Sequence, residues 1–239
     1  MSASILIVSG TGTGVGKTVV TAAICALAMD RADKVAVVKP AQTGLAAGEP
    51  SDLEVVERLS GASDRHELAR FPDPLSPEAA ARSAGLPPLD LDAAARYITD
   101  LAAARDLVVV EGAGGLLVRY DPAGATVADL ATLLAARVLV VAEAGLGTLN
   151  QTALTLEALA ARGLDSAGVV IGSWPAEAGL TEHSNVTDLE TIAGEPLAGI
   201  LPGGLGRAGQ RDFLQAAYDG LSPAFGGRFD QAAFLRHIN

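Results

Sequence analysis

The stretch "SGTGTGVGKTVV", Ser9 to Val20, joins a short β-branched run to a long apolar one. Its reading decides the fold. A standard phosphate-binding loop reads Gly, any four residues, then Gly-Lys-Ser/Thr. Gly16, Lys17 and Thr18 supply the end of that pattern, but Thr11 stands where its first Gly belongs and Gly10 comes one residue too early. The physical parts are nonetheless complete. Backbone N–H groups of a glycine loop, added to the positive end of a following helix, make an anion cradle. Lys17 would reach the outer phosphates, and the Thr18 hydroxyl would hold a magnesium ion. One extra residue widens such a loop and removes none of these parts. A dinucleotide-binding turn fails, because it needs Gly at 15 or 17 and the chain has Val15 and Lys17 there.

Outward from this loop, β-branched runs recur: "SILIVS" at 4 to 9, "KVAVVK" at 34 to 39, "LVVVEG" at 107 to 112, "RVLVVA" at 137 to 142, "AGVVIG" at 167 to 172 and "LAGILP" at 197 to 202. Each is continuous rather than alternating, which is the pattern of strands covered on both faces. Helical stretches such as "KTVVTAAICALAMDRA" and "LNQTALTLEALAARGL", the second stopped by Gly163, lie between them. The expected fold is therefore α/β: a P-loop NTPase-like, doubly wound, mostly parallel sheet of about seven strands flanked by helices, as one domain over 1–239. Between 45 and 105 no buried strand stands out. There "FPDPLSP" reads as an irregular extended piece and "DLDAAARYITDLAAARD" as a helix. The tail, 205–239, carries no readable motif.

Composition agrees with this architecture. Of 239 residues, 49% are hydrophobic and only 4% aromatic, so the core is aliphatic. The net charge of -11 argues against a nucleic-acid or anionic-membrane surface. Cys25, the only cysteine, sits in an apolar run and reads as core. No run of about eighteen apolar residues and no signal-peptide pattern is present, so the expected location is cytoplasmic. The histidines His66, His183 and His237 lie apart without ligand spacing.

Ligands of parallel sheets bind beyond the carboxyl ends of the strands. Lys17 and Lys39, two of only three lysines, fall there, beside what reads as a pair of adjacent early strands. In "KPAQTG", 39 to 44, a charge could neutralise substrate or phosphoryl oxygens, or simply be solvated. "VVVEGAGG" ends a strand in Glu111, the place where P-loop proteins hold magnesium, and Gly112, Gly114 and Gly115 would let backbone pass close to phosphate. Asp52 is either a second magnesium ligand or a helix N-terminal acid. In "AEAGLGTLNQT", 142 to 152, free N–H groups of Gly147, Thr148 and Leu149, with the Asn150 side chain, either bind a carboxylate or form an ordinary helix start.

Together and in this order, "GTGTGVGKT", "KPAQTG", "VEGAGG" and "GLGTLN" resemble dethiobiotin synthetase over about residues 4 to 203. That family's phosphate loop has the same five-residue spacer. The resemblance implies a cyclo-ligase that closes a cyclic urea on 7,8-diaminopelargonate with carbon dioxide, ATP or another nucleoside triphosphate, and Mg2+. It implies that Lys17 and Lys39 stabilise carbamate and phosphoryl charge, that Thr18, Asp52 and Glu111 hold Mg2+, and that Thr13 and Thr43 contact substrate. Nucleotide contacts carry over to Thr13, Gly14, Val15, Gly16, Lys17, Thr18 and Val19, to Asp52, Glu111, Gly112, Ala113 and Gly114, and to Gly172, Ser173, Leu201, Pro202 and Gly203. Gly147, Thr148, Leu149 and Asn150 match a carboxylate-binding helix start that reaches into the partner's site, which implies a homodimer. Two departures stand out: "GSWP", Gly172 to Pro175, replaces the family's frequent Asn-Asp, and the tail matches little. Trp174 there offers an apolar face on which any base can stack, so weak discrimination among bases is expected. Two rival readings each ask for a feature that this sequence does not offer. A cobyrinate-type amide ligase needs a glutaminase domain with a nucleophilic Cys, and a partitioning ATPase carries a second lysine early in the loop, where this chain has Thr11 and Gly12.

Overall fold

Successive side chains of a strand point to opposite faces of its sheet. In β1 (Ser4–Gly10), Leu6 and Val8 enter one apolar cluster and Ile7 the other; in β6 (Leu107–Glu111), Val109 enters the first and Val108 and Val110 the second. Two cores, one on each face, therefore explain why these runs are aliphatic without alternation. The structure, a computed structural model, describes residues 4–238.

The remaining elements follow in alternation. After β1 come α1 (Lys17–Asp30), β2 (Val35–Lys39), the short β3 (Gln42–Thr43), α2 (Asp52–Ser60), β4 (Arg65–Glu67) and β5 (Arg70–Phe71). Helices α3 (Pro77–Ala84) and α4 (Leu91–Ala102) lead to β6, which is followed by α5 (Val127–Leu134), β7 (Arg137–Ala142) and α6 (Thr148–Ala160). The chain then runs through β8 (Ser166–Trp174), α7 (Leu180–Ala193), β9 (Gly199–Pro202), α8 (Gln210–Gly220) and α9 (Gln231–Ile238). Seven strands form one sheet in the order β4-β2-β6-β1-β7-β8-β9, and every strand pairing in it is parallel. Helices α1, α2 and α8 supply one core; α4, α5 and α7 contribute to the other. Cys25 lies fully buried in the first.

Two sequence expectations change. β1 and β2 are not neighbours, because β6 lies between them. This brings Glu111, at the end of β6, between the two lysine-bearing segments. The seventh strand is β4, in the interval where none was read; its "RHE" is polar and half-buried, as an edge strand allows. From β1 the chain builds outward on one side and then crosses to β7 on the other, so the crevice for a ligand opens at the carboxyl end of β1. Among the described residues no helix is long and apolar enough to cross a membrane.

Tyr120 shows how the loop after β6 is held. Its ring is fully buried, and its hydroxyl accepts the Ala113 N–H at 2.8 Å. A buried N–H left without a partner costs about 1–3 kcal/mol. Tyr120→Phe, which keeps the ring and removes only that acceptor, is therefore expected to lower unfolding stability by about 1–3 kcal/mol in denaturant titration. An unchanged midpoint would show that Ala113 finds another acceptor.

Candidate active site

The phosphate loop is built by close packing. Gly14 and Gly16 take φ of 82° and 100°, in the left-handed region, and Gly16 caps α1. A Cβ at Gly172, at the end of β8, would fall 2.2 Å from the Val15 carbonyl oxygen. Only glycine fits between β8 and the loop. Lys17, the first residue of α1, is buried and donates from Nζ to the Gly12 carbonyl at 2.7 Å, closing the loop on itself. Burial, followed by the nearby Lys39 ammonium, pushes the Lys17 pKa down to about 8.

Beside the loop lies a buried charge cluster drawn from three elements. Lys39 ends β2, Glu111 ends β6 and Asp52 begins α2. Lys39 Nζ sits 2.6 Å from Asp52 Oδ2 and 2.8 Å from Glu111 Oε1, and the Thr18 hydroxyl donates to the same Glu111 oxygen at 2.9 Å. Burial alone would strip the Lys39 proton, but Glu111 and Asp52 outweigh it and hold the pKa above its ordinary value. Burial works against the Asp52 carboxylate too, yet Lys39 leads the interactions that take its pKa down. Glu111 is 1% exposed, and burial pushes its pKa up. Asp52 is fixed by its own helix start: Ser51 and Glu54 form a reciprocal capping box, and the Gln42 side-chain carbonyl accepts the Asp52 N–H at 3.2 Å.

A cavity of about 660 Å³ opens over this cluster. Thr13, Gly14, Gly16, Lys17, Thr18, Val19, Lys39, Thr43, Asp52, Glu111, Ala113 and Gly114 line it, together with a wall of Pro74, Leu75, Ser76 and Pro77. Val15 and Gly112 lie behind the lining: Val15 is buried, and the Gly112 carbonyl accepts from Lys39 Nζ at 3.3 Å. Gly172, Ser173, Leu201, Pro202 and Gly203 gather apart from it, at the ends of β8 and β9, where the Gly203 N–H donates to the Trp174 carbonyl at 2.7 Å. Gly147, Thr148, Leu149 and Asn150 are not in this cavity.

Two expected roles need correction. The Thr148 N–H donates to the Gly145 carbonyl at 3.3 Å and its side chain is buried, so the donors left at the α6 start are the N–H groups of Gly147, Leu149 and Asn150. Trp174 does not stand free as a stacking platform: His183 lies parallel to it at 6.0 Å between centroids, and Phe234 of α9 packs edge-on at 5.2 Å. Sequence reasoning also passed over Ser51, Gln42 and Tyr120. For Ser51 the Ser-x-x-Glu spacing was a usable signal. Tyr120 and Gln42 act through contacts that no local pattern announces.

The donor set suits a hard divalent cation. Thr18, Asp52 and Glu111 offer only oxygen, as magnesium prefers, and Glu111 Oε2 is buried without a hydrogen-bond partner among the described residues.

Comparison with known proteins gives the family. A family model described as an AAA domain matches residues 4–204. A protein of Parafrankia sp. named ATP-dependent dethiobiotin synthetase is 61% identical, covering 98% of each chain. The chain belongs to the dethiobiotin synthetase family. Relatives of the same name from Frankia casuarinae and Streptomyces avermitilis are 62% and 51% identical, over 96% and 97% of each chain. Among solved structures, the septum site-determining protein MinD with Mg-ADP from Pyrococcus horikoshii superposes at a TM-score of 0.57 and 17% identity, covering 91% of this chain and 93% of that one. The cell division ATPase MinD of Pyrococcus furiosus gives 0.51 at 19%, over 100% and 99%. These last two share the fold.

The lowered Lys17 pKa gives this dethiobiotin synthetase family member a measurable proton linkage. At pH 8 about half of the nucleotide-free molecules carry a neutral Lys17, and phosphate anions favour the ammonium. Binding of metal-free ATP at pH 8 is therefore expected to take up a fraction of a proton, read as a heat that varies with buffer ionisation enthalpy. At about pH 6 the lysine is already charged and the uptake vanishes. Lys17→Met should abolish the uptake at pH 8.

Proposed function

We propose that this cavity closes the cyclic urea of dethiobiotin: an ATP-dependent cyclo-ligase reaction of 7,8-diaminopelargonate with carbon dioxide. The observation that carries the reading is Lys39. A phosphate loop needs only Lys17 to bind nucleotide; a second, buried ammonium on the same cavity suits a reaction with a second anion, here the carbamate formed when one amine takes up carbon dioxide. The carbamate oxygen attacks the γ-phosphorus, ADP leaves, and the second amine displaces phosphate from the mixed anhydride. Lys17 would lie against the transferring phosphoryl oxygens and Lys39 against the carbamate, each in a site that excludes water and so strengthens its charge. Thr18, Asp52 and Glu111 would hold Mg2+, which neutralises phosphate charge when bound. Thr13 and Thr43 would orient the diamine, and the Pro74 to Pro77 wall would pack its alkyl chain. The clustered ends of β8 and β9, Gly172, Ser173 and Leu201 to Gly203, would meet the nucleotide base with little side-chain polarity. With ATP as co-substrate the reaction would run in the cytoplasm, and one domain would carry it.

The same reading implies a homodimer. Gly147 to Asn150 stand outside the cavity, so a substrate carboxylate meeting them would do so from a partner's site. Leu146 on this loop is 91% exposed, and Leu154 on α6 and Leu180 at the start of α7 are also bared. Apolar side chains exposed on adjoining elements fit a covered surface.

Incubating the protein with diaminopelargonate, bicarbonate, ATP and Mg2+ should yield dethiobiotin by mass spectrometry; a switch ATPase of the same fold would yield none. Lys39→Ala is expected to leave nucleotide affinity within about tenfold while lowering turnover roughly a hundredfold or more, since its charge acts mainly in the transition state. An active Lys39→Ala enzyme would remove the role given to this lysine. Mixing inactive Asn150→Asp with inactive Lys39→Ala subunits should recover up to about a quarter of wild-type activity, because half of randomly formed dimers hold one intact site. No recovery despite demonstrated subunit exchange would place Asn150 outside the partner's site.

A further inference from the structure

The loop from β7 to α6 must present donors, and something must turn its carbonyls away. Asn185 on α7 is only 5% exposed, and its amide nitrogen donates to two carbonyls of that loop, Ala144 at 2.7 Å and Gly145 at 3.1 Å. The Gly145 oxygen also accepts the Thr148 N–H at 3.3 Å. After these bonds Gly147 turns through φ 96°, and α6 begins with no backbone partner for the N–H groups of Leu149 and Asn150. A carbonyl oxygen facing the helix mouth would repel a carboxylate and offset the attraction of the N–H groups and helix dipole. Two carbonyls bonded to Asn185 cannot turn there.

We propose that Asn185 is a positioning residue for substrate-carboxylate recognition: by binding the Ala144 and Gly145 carbonyls it keeps the start of α6 a donor-only surface. The inference rests on the functional reading above, in which Gly147, Leu149 and Asn150 meet the diaminopelargonate carboxylate of the partner's site. The side-chain hydrogen bonds of Asn185 go to Ala144 and Gly145 and not to the phosphate loop or the charge cluster, so its effect falls on one end of one substrate.

The test compares diaminopelargonate with a vicinal diamine of the same chain length that ends in methyl instead of carboxylate. Asn185→Leu, close in size but without the donor, is expected to raise KM for diaminopelargonate about tenfold or more, since losing two buried hydrogen bonds frees the loop. Under the same conditions kcat, ATP affinity and kcat/KM for the methyl-ended diamine should stay within about threefold. Asn185→Asp, the same shape with an acceptor in place of the donor, should be at least as impaired toward diaminopelargonate, and it serves if the leucine variant misfolds. If both diamines suffer equally, Asn185 merely holds the fold together and the proposal is overturned; if neither does, the two bonds have no effect on recognition. A wild-type protein that makes no dethiobiotin would overturn the functional reading itself. One that makes it, yet uses both diamines equally well, would leave the reaction standing and remove carboxylate recognition.

Discussion

Everything at this site depends on one buried ammonium. Lys39 lies 2.6 and 2.8 Å from two carboxylates that belong to different elements, and their pull outweighs its burial and keeps it charged. Removing the ammonium would leave the Glu111 carboxylate buried without its cation, which is far more destabilising than the pair is stabilising. The triplet therefore locks β2, β6 and the start of α2 into one arrangement. It also sets a condition on ligand entry. Any cation that comes to rest between Asp52 and Glu111 competes with an ammonium already in place, and an ammonium so displaced is left beside the cavity, where an anion can take it. The charge on Lys39 changes partners rather than appearing or vanishing.

The phosphate loop shows a second constraint, one of space. Its extra residue is accommodated because Gly16 and Gly172 let the loop backbone touch the end of β8 directly. The frequent Asn-Asp of the family cannot be copied at Gly172, for the Val15 carbonyl already occupies the place of a side chain. The lack of a side chain at Gly172 and the closeness of the loop are thus one fact seen from two sides.

How much of this was legible in the sequence follows from where each signal resides. Six strands could be read because both faces of each meet an aliphatic core, so the pattern is local. β4 could not, since an edge strand of Arg, His and Glu buries little. Lys17, Thr18, Lys39 and Glu111 were found as residues that end strands or begin helices. Their neighbourhood was only half legible: strand order is a tertiary property, and the insertion of β6 between β1 and β2 is what delivers Glu111 to Lys39. Asn185 lies about forty residues from the carbonyls it binds, and no periodicity connects them.

The tail after residue 205, mute as sequence, takes part in the same network of contacts. Phe213 and Ala217 of α8 are buried in the core that α1 shares, and Gln231 at the start of α9 bonds both the Leu197 N–H, before β9, and Glu190 of α7. Phe234 then packs edge-on against Trp174, which lies parallel to His183. Trp174 is also the residue whose carbonyl accepts the Gly203 N–H. The ends of β8 and β9 are therefore braced from behind by a segment that lines no part of the cavity. Strand ends rich in glycine have little side-chain network of their own to hold their shape, and the rigidity must come from outside them. In this chain that support is supplied by α7 and α9.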